Sequence, residues 1–502
     1  MTDVQLYMWI GLALLLLITG FLGYLGYKKT KNVSDFSIAG ASLGPVILGL
    51  AYAATFFSAS TFIGYPGWAY QWGFSSLWIF LTLIFASPLG LIVVAKRARK
   101  LNISQKSLSL ADWLGDRYNS DFIRVGTALV CLFNIFYIAA QFAAGAWIFN
   151  TLLDIPYSLA LALIATLVVA YVYTGGSFAD IYTDAAQAVL MAIMGVLVFV
   201  SIFWMFPGGL TEGFTTIANT LKAKDDTLVS ITNSSSIVFY SVPAILGAFI
   251  IQFAFSSQPQ LFNKVLALKD PKDMRKMILV YLGASVCFIL VIFGGLYAAA
   301  TPTVQVDEID KAILNYVLEA FPPVVAAFLG VVVIAAAMST TDGIFVVMST
   351  LVANDVYRKY LVPKGIIKAT EEQAEKTALR LSRITVLVVG VIAYILVLNP
   401  PPSIGMYIWI GISGVASGTL GPLLIGLFLP SLATRTAAKI SLVCGVGSYI
   451  LILWSGTITS TMAAGAGAVC IGVLAMILTG IFTKGNEDST FVEEEKFVKN
   501  AK

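Results

Sequence analysis

The chain has 502 residues, of which 58% are hydrophobic and 12% are charged, and its mean hydropathy is strongly positive. This composition excludes a soluble globular protein and predicts an all-α polytopic membrane protein. The formal net charge is only +4, and the basic residues fall mainly in loops on one side of the predicted membrane. The charge therefore does not indicate a nucleic-acid-binding surface.

Apolar runs of about 20 residues, long enough to cross a bilayer, recur along the whole chain. We predict about thirteen transmembrane helices. In chain order they lie at 5–26, 43–70, 75–96, 122–151, 157–174, 180–206, 237–262, 276–300, 323–354, 379–398, 403–431, 436–455 and 461–483. The first run follows Asp3 and precedes KKTKN without a small-residue cleavage site, so we interpret it as a retained span and not as a signal peptide.

The distribution of basic residues predicts how these spans are oriented. Alternate loops on one side hold 28 of the 31 Lys and Arg residues, whereas the other side holds only Lys222, Lys224 and Lys311. We therefore expect a plasma membrane protein, as in a prokaryotic inner membrane, with its N-terminus outside and its C-terminus in the cytoplasm.

Two predicted spans contain a proline within an apolar run. The second span has Pro66 between Gly64 and Gly67, and the seventh has Pro259 after SSQ. Proline removes a backbone donor and frees carbonyl groups, so we expect both helices to be broken or kinked. Two interrupted spans five apart have opposite orientations, which is typical of an inverted repeat whose ligand site lies between the broken helices.

Two loop segments support this repeat. The stretch NISQKSLSLADWLGDRYN follows the third span, and VDEIDKAILNYVLEAFPP lies five spans later. In the second stretch Ile309, Ile313 and Val317 share one helical face, which predicts an amphipathic helix at the membrane interface.

These features divide the chain into six predicted parts. They are 1–42 (first transmembrane helix and cytoplasmic linker), 43–206 (first five-helix repeat), 207–236 (extracellular loop), 237–431 (second five-helix repeat), 432–483 (two additional transmembrane helices) and 484–502 (cytoplasmic tail).

The ninth span carries the unusually polar stretch AAAMSTTDGIF. Ala336, Ser339 and Thr340 are spaced i, i+3 and i+4, so they share one helical face. Two hydroxyl oxygens and a backbone carbonyl on that face, opposite the freed carbonyls of a broken helix, form a set of hard oxygen ligands that suits Na⁺. The alternative is that both hydroxyls bond carbonyls of their own helix and only help helices to pack.

Three carboxylates lie within the predicted spans, namely Asp180 and Asp184 in the sixth and Asp342 in the ninth. We expect no Lys or Arg deep in any span, so these groups need a bound cation, a proton or hydrogen-bond donors. The chain contains no histidine, which excludes histidine metal sites and histidine proton relays.

Polar and aromatic side chains near the two interruptions are candidates for binding a solute. Several hydroxyls surround the first interruption, amides mark the fourth and seventh spans, and aromatic rings could wall a pocket. The selected solute-binding candidates are Ser58, Thr61, Gln141, Phe255, Gln258 and Trp409. Helix packing is the alternative for each of them taken singly.

The chain resembles the sodium/solute symporter family over nearly its full length. The resemblance is carried by FSASTFIGYPG in the second span, TGGSFADIYTDAAQ leading into the sixth, SQPQLFNK at the end of the seventh and AAAMST in the ninth. It implies a leucine-transporter-like fold with a 5+5 inverted-repeat core that works by alternating access.

The resemblance also implies a principal sodium site. By motif position, its ligands are the carbonyls of Ala54, Phe57 and Ala336 and the hydroxyls of Ser339 and Thr340. Asp184 matches the acidic residue of the TD motif, which in some members holds a second sodium or stabilises the first. Na⁺ is thus the one bound ion that the sequence implies.

Departures from the family pattern bear on the solute. The proline-transporting branch has an aspartate where this chain has Phe56, and a histidine where it has Gln260. The third span lacks the acidic residue expected of sugar transporters. The stretches SASTFIGYPGWAY and AQFAAGAW are most similar to the pantothenate and monocarboxylate branch, which favours a small organic acid.

Our main prediction is therefore a Na⁺-coupled symporter that imports a small organic acid, with a sodium/proline or other amino-acid symporter as the alternative. Further alternatives are a proton-coupled transporter and an ion channel, although a channel needs a continuous polar lining. A membrane enzyme is not expected, because no nucleophile elbow or phosphate-binding loop is present. The expected partners are the solute and the lipid bilayer, with no nucleic acid and no protein partner implied.

Overall fold

The chain folds almost entirely into helices, as the computed structural model shows for residues 2–399 and 404–484, the part that the structure describes. The α-helices of this part are α1 (Asp3–Lys29), α2 (Val33–Ile38), α3 (Pro45–Phe56), α4 (Ala59–Phe62), α5 (Gly64–Trp72), α6 (Leu77–Gln105), α7 (Leu110–Arg117), α8 (Asp121–Val130), α9 (Asn134–Leu153), α10 (Tyr157–Val200), α11 (Ile202–Met205), α12 (Gly209–Lys224), α13 (Val242–Phe255), α14 (Pro259–Leu266), α15 (Met274–Ile289), α16 (Phe293–Ala300), α17 (Ala312–Ala320), α18 (Pro323–Thr350), α19 (Glu371–Leu396), α20 (Ile404–Phe428), α21 (Arg435–Ser455) and α22 (Thr461–Thr483). The predicted cytoplasmic tail, apart from Lys484, lies outside the described residues.

Ten helical segments of the described residues are each long and apolar enough to cross a membrane, and the bent pair α13 and α14 makes eleven. Two further predicted spans correspond to shorter apolar helices, Pro45–Phe56 and Tyr157–Ala170. Helix α3 ends at the break before α4, whereas α10 continues beyond residue 170 and has non-helical dihedral angles at Gly176. The predicted total of thirteen is not confirmed, whereas the all-α polytopic class is.

The first broken span is interrupted earlier than predicted. Helix α3 ends at Phe56, Ser58 is extended, and its side chain caps the short helix α4. Pro66, which we expected to break the helix, lies within the first turn of α5, where its missing N–H has no intrahelical partner to lose. Gly67 allows the backbone near Ile309 to approach α5 closely, because a Cβ at this position would lie 2.8 Å from the carbonyl oxygen of Ile309.

The second broken span agrees with the prediction. Helix α13 ends at Phe255, and α14 begins with Pro259 at its first position, after a bend of 40°. Proline is favourable there, since its fixed φ suits the first helical residue.

Helix α18 lies at the centre of the molecule. Nearly all its side chains from Ala326 to Thr350 are buried, and it packs against α1, α9 and α10. Beyond Thr350 the chain continues as a π-helix over Leu351–Leu361. A helix that is apolar on all sides is typical of a position surrounded by other helices.

The predicted amphipathic loop helix is present as α17. Its apolar residues Ile313 and Val317 are buried, and the helix packs against α5, α16 and α18. The short 3₁₀-helix Ile309–Lys311 before it lies on α5, so this loop covers one end of the first broken span. The predicted loop 207–236 likewise contains a helix, α12.

Candidate cation and solute site

The first broken span presents backbone carbonyls inside the protein. The amide of Ala59 donates to Gln141 Oε1 at 3.1 Å and does not continue the ladder to Thr55. The amide of Thr61 donates to the carbonyl of Ser58 at 2.9 Å. The carbonyl of Phe57, which Thr61 would bond in a regular α-helix, therefore has no helical donor. These carbonyls can therefore accept from, or coordinate, groups on other helices.

Two hydroxyls of α18 face this break. Ser339 Oγ lies 3.0 Å from the carbonyl oxygen of Ala54 and 3.1 Å from that of Ala336, while Thr340 Oγ1 donates to the carbonyl of Thr55 at 3.1 Å. All of these residues are buried. The structure thus brings together Ala54, Ala336, Ser339 and Thr340 of the predicted sodium ligands, and the carbonyl of the fifth, Phe57, lies at the break.

The chemistry of this donor set fits a dehydrated alkali cation. Carbonyl and hydroxyl oxygens are hard, uncharged ligands, and a monovalent ion does not need a full countercharge from its first ligands. A cation here would contact α3 and α18 at once, so its binding energy would favour the arrangement in which these helices are close. The hydroxyl of Thr341, in contrast, bonds the carbonyl of Ala337 in its own helix at 2.6 Å.

The buried carboxylates have a cationic partner that the sequence interpretation missed. Lys264 Nζ lies 2.7 Å from Asp180 Oδ2 and 2.8 Å from Asp184 Oδ2, and all three side chains are buried. The expectation that no Lys or Arg lies deep in the protein was therefore wrong. Lys264 sits in α14, the second half of a broken helix, and the break turns an apparent loop residue toward the interior.

A third carboxylate, Asp342, joins this pair. Asp180, Asp184 and Asp342 each offer an oxygen atom within 4.8 Å of the others. Asp342 Oδ1 accepts from the amide of Gly343 at 3.1 Å, while its Oδ2 has no hydrogen-bond partner among the described residues. Three carboxyl groups and one ammonium carry excess negative charge, which favours a cation or a proton nearby.

A hydrogen-bond chain links this acidic cluster to the sodium candidate. Asp184 Oδ2 accepts from Thr55 Oγ1 at 2.6 Å, and the carbonyl of Thr55 accepts from Thr340. Asp184 therefore positions the residue whose backbone meets α18. This contact fits the supporting role that the family resemblance offers for Asp184.

The solute candidates lie around the two breaks. Gln141 holds the amide of Ala59, and Gln258 Nε2 donates to the carbonyl of Ile412 at 2.9 Å. The rings of Phe255 and Trp409 are 6.0 Å apart. Ser58 and Thr61 are also buried, and the ring of Phe56 lies 4.3 Å from that of Phe255, so the two breaks adjoin each other.

Several polar atoms here lack partners. Within the described part of the chain, Gln141 Nε2, Gln258 Oε1 and Trp409 Nε1 are buried without a hydrogen-bond partner. Gln252, which the sequence interpretation overlooked, has both amide atoms in this condition and lies one turn before Phe255. The sequence signal that could have identified Gln252 is its position as a lone amide in the apolar run FIIQFAF. Buried polar atoms without partners are uncommon, and a bound solute is one way to satisfy them.

Buried polar contacts join the elements around the site. On one side Asp310 Oδ2 accepts from the amide of Ile404 at 3.3 Å, which attaches the loop before α17 to the start of α20. On the other side Lys359 Nζ lies 2.7 Å from Asp112 Oδ1, and Ser109 donates to Asp355 at 2.5 Å. These contacts hold neighbouring elements together on either side of the two breaks.

The chain matches the model described as the sodium:solute symporter family over residues 36–445. It is 24% identical over 472 residues to the osmoregulated proline transporter OpuE of Bacillus subtilis (strain 168), covering 92% of this chain and 91% of that protein. It is 27% identical over 465 residues to a sodium/proline symporter of Staphylococcus aureus (strain JH9), covering 90% of this chain and 86% of that protein.

Among solved structures, the fold is similar to a substrate-bound outward-open Na⁺-coupled sialic acid symporter, with a TM-score of 0.75 and 20% sequence identity, covering 96% of this chain and 98% of that chain. This similarity confirms the predicted fold class, an all-α membrane protein with a leucine-transporter-like core.

Proposed function

Because this chain belongs to the sodium:solute symporter family, we propose that it imports a small zwitterionic solute of the proline type together with Na⁺. The contact of Ser339 with the carbonyl of Ala54 carries the sodium assignment, since it places a hydroxyl of α18 against the free end of α3. The similar proteins are proline transporters, which supports our alternative solute class better than our main prediction of an organic acid.

The charge of the pocket also favours a zwitterion. The six solute candidates comprise hydroxyl, amide, phenyl and indole groups and include no ionised side chain. A zwitterion is neutral overall, so it enters this buried region without a net charge. The amides of Gln141 and Gln258 offer a donor and an acceptor for its two charged ends.

One position argues for a solute distinct from the proline branch. Phe56 stands where that branch has an aspartate, and its ring packs 5.1 Å from Phe57 and 4.3 Å from Phe255. An amino group of the solute would therefore meet backbone carbonyls and Gln258 Oε1 instead of a carboxylate. An apolar ring or alkyl group would contact the aromatic side chains.

Coupling between Na⁺ and solute follows because both proposed sites involve α3 and the residues that come directly after it. In our proposal Na⁺ binds first to Ala54, Phe57, Ala336, Ser339 and Thr340 and stabilises the close packing of α3 with α18. This arrangement orders the residues after the break, including Ser58 and Thr61, for the solute. Release of the ion on the cytoplasmic side then loosens both sites, so ion and solute move together.

The test is uptake into proteoliposomes under an imposed gradient of Na⁺, K⁺ or H⁺, with labelled proline, a betaine, lactate and pantothenate as solutes. We expect uptake of an amino-acid-type zwitterion driven by Na⁺ and abolished when K⁺ replaces it. Na⁺-driven uptake of lactate or pantothenate alone would overturn the solute class and leave the ion assignment intact.

A proton-driven transporter is a second candidate, favoured by the three buried carboxylates. Uptake driven by the H⁺ gradient and indifferent to Na⁺ would establish it in place of the sodium proposal.

A further inference from the structure

A groove of about 540 Å³ opens on the surface beside α1, outside the proposed transport site. It lies between α1 and residues of α10, α18 and α19. Its lining includes Gly20, Gly23, Tyr24, Tyr27, Tyr173 and Arg383.

One end of the groove is basic. Arg383 is exposed, and its guanidinium lies 5.9 Å from the centre of the Tyr173 ring. Lys28 Nζ lies 4.5 Å from the centre of the Tyr24 ring, so a second cation stands beside the same opening. No carboxylate belongs to the lining formed by the described residues. This end is therefore suited to an anion.

The rest of the groove is apolar and open. A Cβ built on Gly20 would have no atom within 4 Å, so the missing side chain leaves empty space along α1. Leu16, one turn before Gly20 in α1, also lines the groove, and its side chain is 42% exposed. An alkyl chain lying here would cover apolar surface that no described residue covers.

We propose that this groove binds one anionic phospholipid, with its phosphate near Arg383 and Lys28 and one acyl chain along Gly20 and Leu16. A basic and tyrosine-rich end adjoining an apolar channel complements a lipid headgroup and its tail. Because the groove lies on a helix long enough to span the bilayer, lipid is the molecule that surrounds it. A soluble anion would use the basic end alone.

The position of the groove gives such a lipid an effect on the protein. Its inner wall includes Met338, the residue before Ser339 in α18. The lipid would contact α1 and helices from both predicted repeats, so its binding would stabilise their relative arrangement.

The test is the melting temperature of the purified full-length protein in mild detergent with added phosphatidylglycerol, phosphatidylcholine or inorganic phosphate. We expect phosphatidylglycerol alone to raise it by several degrees. Arg383→Gln should weaken the apparent lipid affinity by about fivefold, the effect of one basic residue at a membrane surface. Gly20→Leu should abolish the rise by filling the channel.

Arg275→Gln is the matched control, because Arg275 is an exposed basic residue at the start of α15. It should keep the full response. Equal effects of the two lipids, a rise with inorganic phosphate alone, or an unchanged response in Gly20→Leu would each overturn the proposal. A change of oligomeric mass in Gly20→Leu without any lipid dependence would assign the groove to a second copy of the chain instead. The wild-type comparison of lipids remains decisive if either variant fails to fold.

Discussion

In our proposal, single hydroxyls decide whether the site holds sodium. Ser339 contacts the free carbonyl of Ala54 on another helix, while its neighbour Thr341 bonds only within α18. The two hydroxyls are chemically similar and equally buried, but only that of Ser339 faces the proposed ion site. Substituting each of them can therefore distinguish ion binding from helix packing.

Ser339→Ala or Thr340→Ala should raise the Na⁺ concentration for half-maximal uptake by roughly five- to tenfold, since a lost oxygen contact is worth about 1 kcal/mol. Thr341→Ala is the matched control and should leave it unchanged. Titrating Na⁺ in the uptake assay distinguishes these outcomes. Equal shifts in all three variants would indicate that the hydroxyls serve packing alone.

The sequence predicted this face but not its electrostatic surroundings. The i, i+3, i+4 spacing of Ala336, Ser339 and Thr340 is a local property of any helix, so it survives folding. The burial of Lys264 was not predicted, because it depends on the angle at which α14 leaves the break before Pro259. Lys264's partners Asp180 and Asp184 lie in α10, far away in the sequence, so no local pattern contains this pairing.

At the scale of elements, the loop before α17 closes one end of the site through a single buried carboxyl. Asp310 accepts from Ile404, and its other oxygen has no partner among the described residues. Burial raises the pKa of Asp310 from 3.8 to about 6, the hydrogen bond from Ile404 opposes this rise, and the charge of Glu308 adds to it. Lys311 faces Asp307 and the Trp147 ring.

The sign of the resulting pH dependence follows from this rise. A carboxyl whose pKa is higher in the closed loop binds its proton more tightly there, so acid stabilises closure. The contribution of the Asp310 carboxyl to the stability of the closed loop is fully present below about pH 4 and is lost as the pH rises through about 6. The limiting size is about 3 kcal/mol, from a shift of roughly two pKa units.

We therefore expect Asp310→Asn to raise the melting temperature at pH 7 and to flatten its dependence between pH 4.5 and 7. Asn keeps the acceptor for Ile404 without a charge to desolvate. Asp307→Asn is the control, because the Asp307 side chain is 80% exposed and its charge is already solvated. If both variants reproduce the wild-type curve, Asp310 does not govern closure.

At the scale of the whole molecule, the distribution of basic residues predicts the orientation in the membrane. The loop with Asp307 should face outward, and the start of α19 with Glu372 should face the cytoplasm. Both side chains are largely exposed, so cysteines placed there can react.

Asp307→Cys should react with a membrane-impermeant maleimide in intact cells, and Glu372→Cys only after permeabilisation. The wild-type chain supplies the background, since its four cysteines lie in predicted spans. The reverse pattern would invert the predicted topology.

The π-helix Leu351–Leu361 continues α18 with a bonding pattern that can change without unfolding. It carries both Asp355, which accepts from Ser109, and Lys359, which pairs with Asp112. Such a helix bonds each amide five residues back, so a step to four-residue bonding keeps the backbone paired while it winds the helix more tightly. Such a change would rotate Asp355 and Lys359 about the helix axis and thereby alter both contacts.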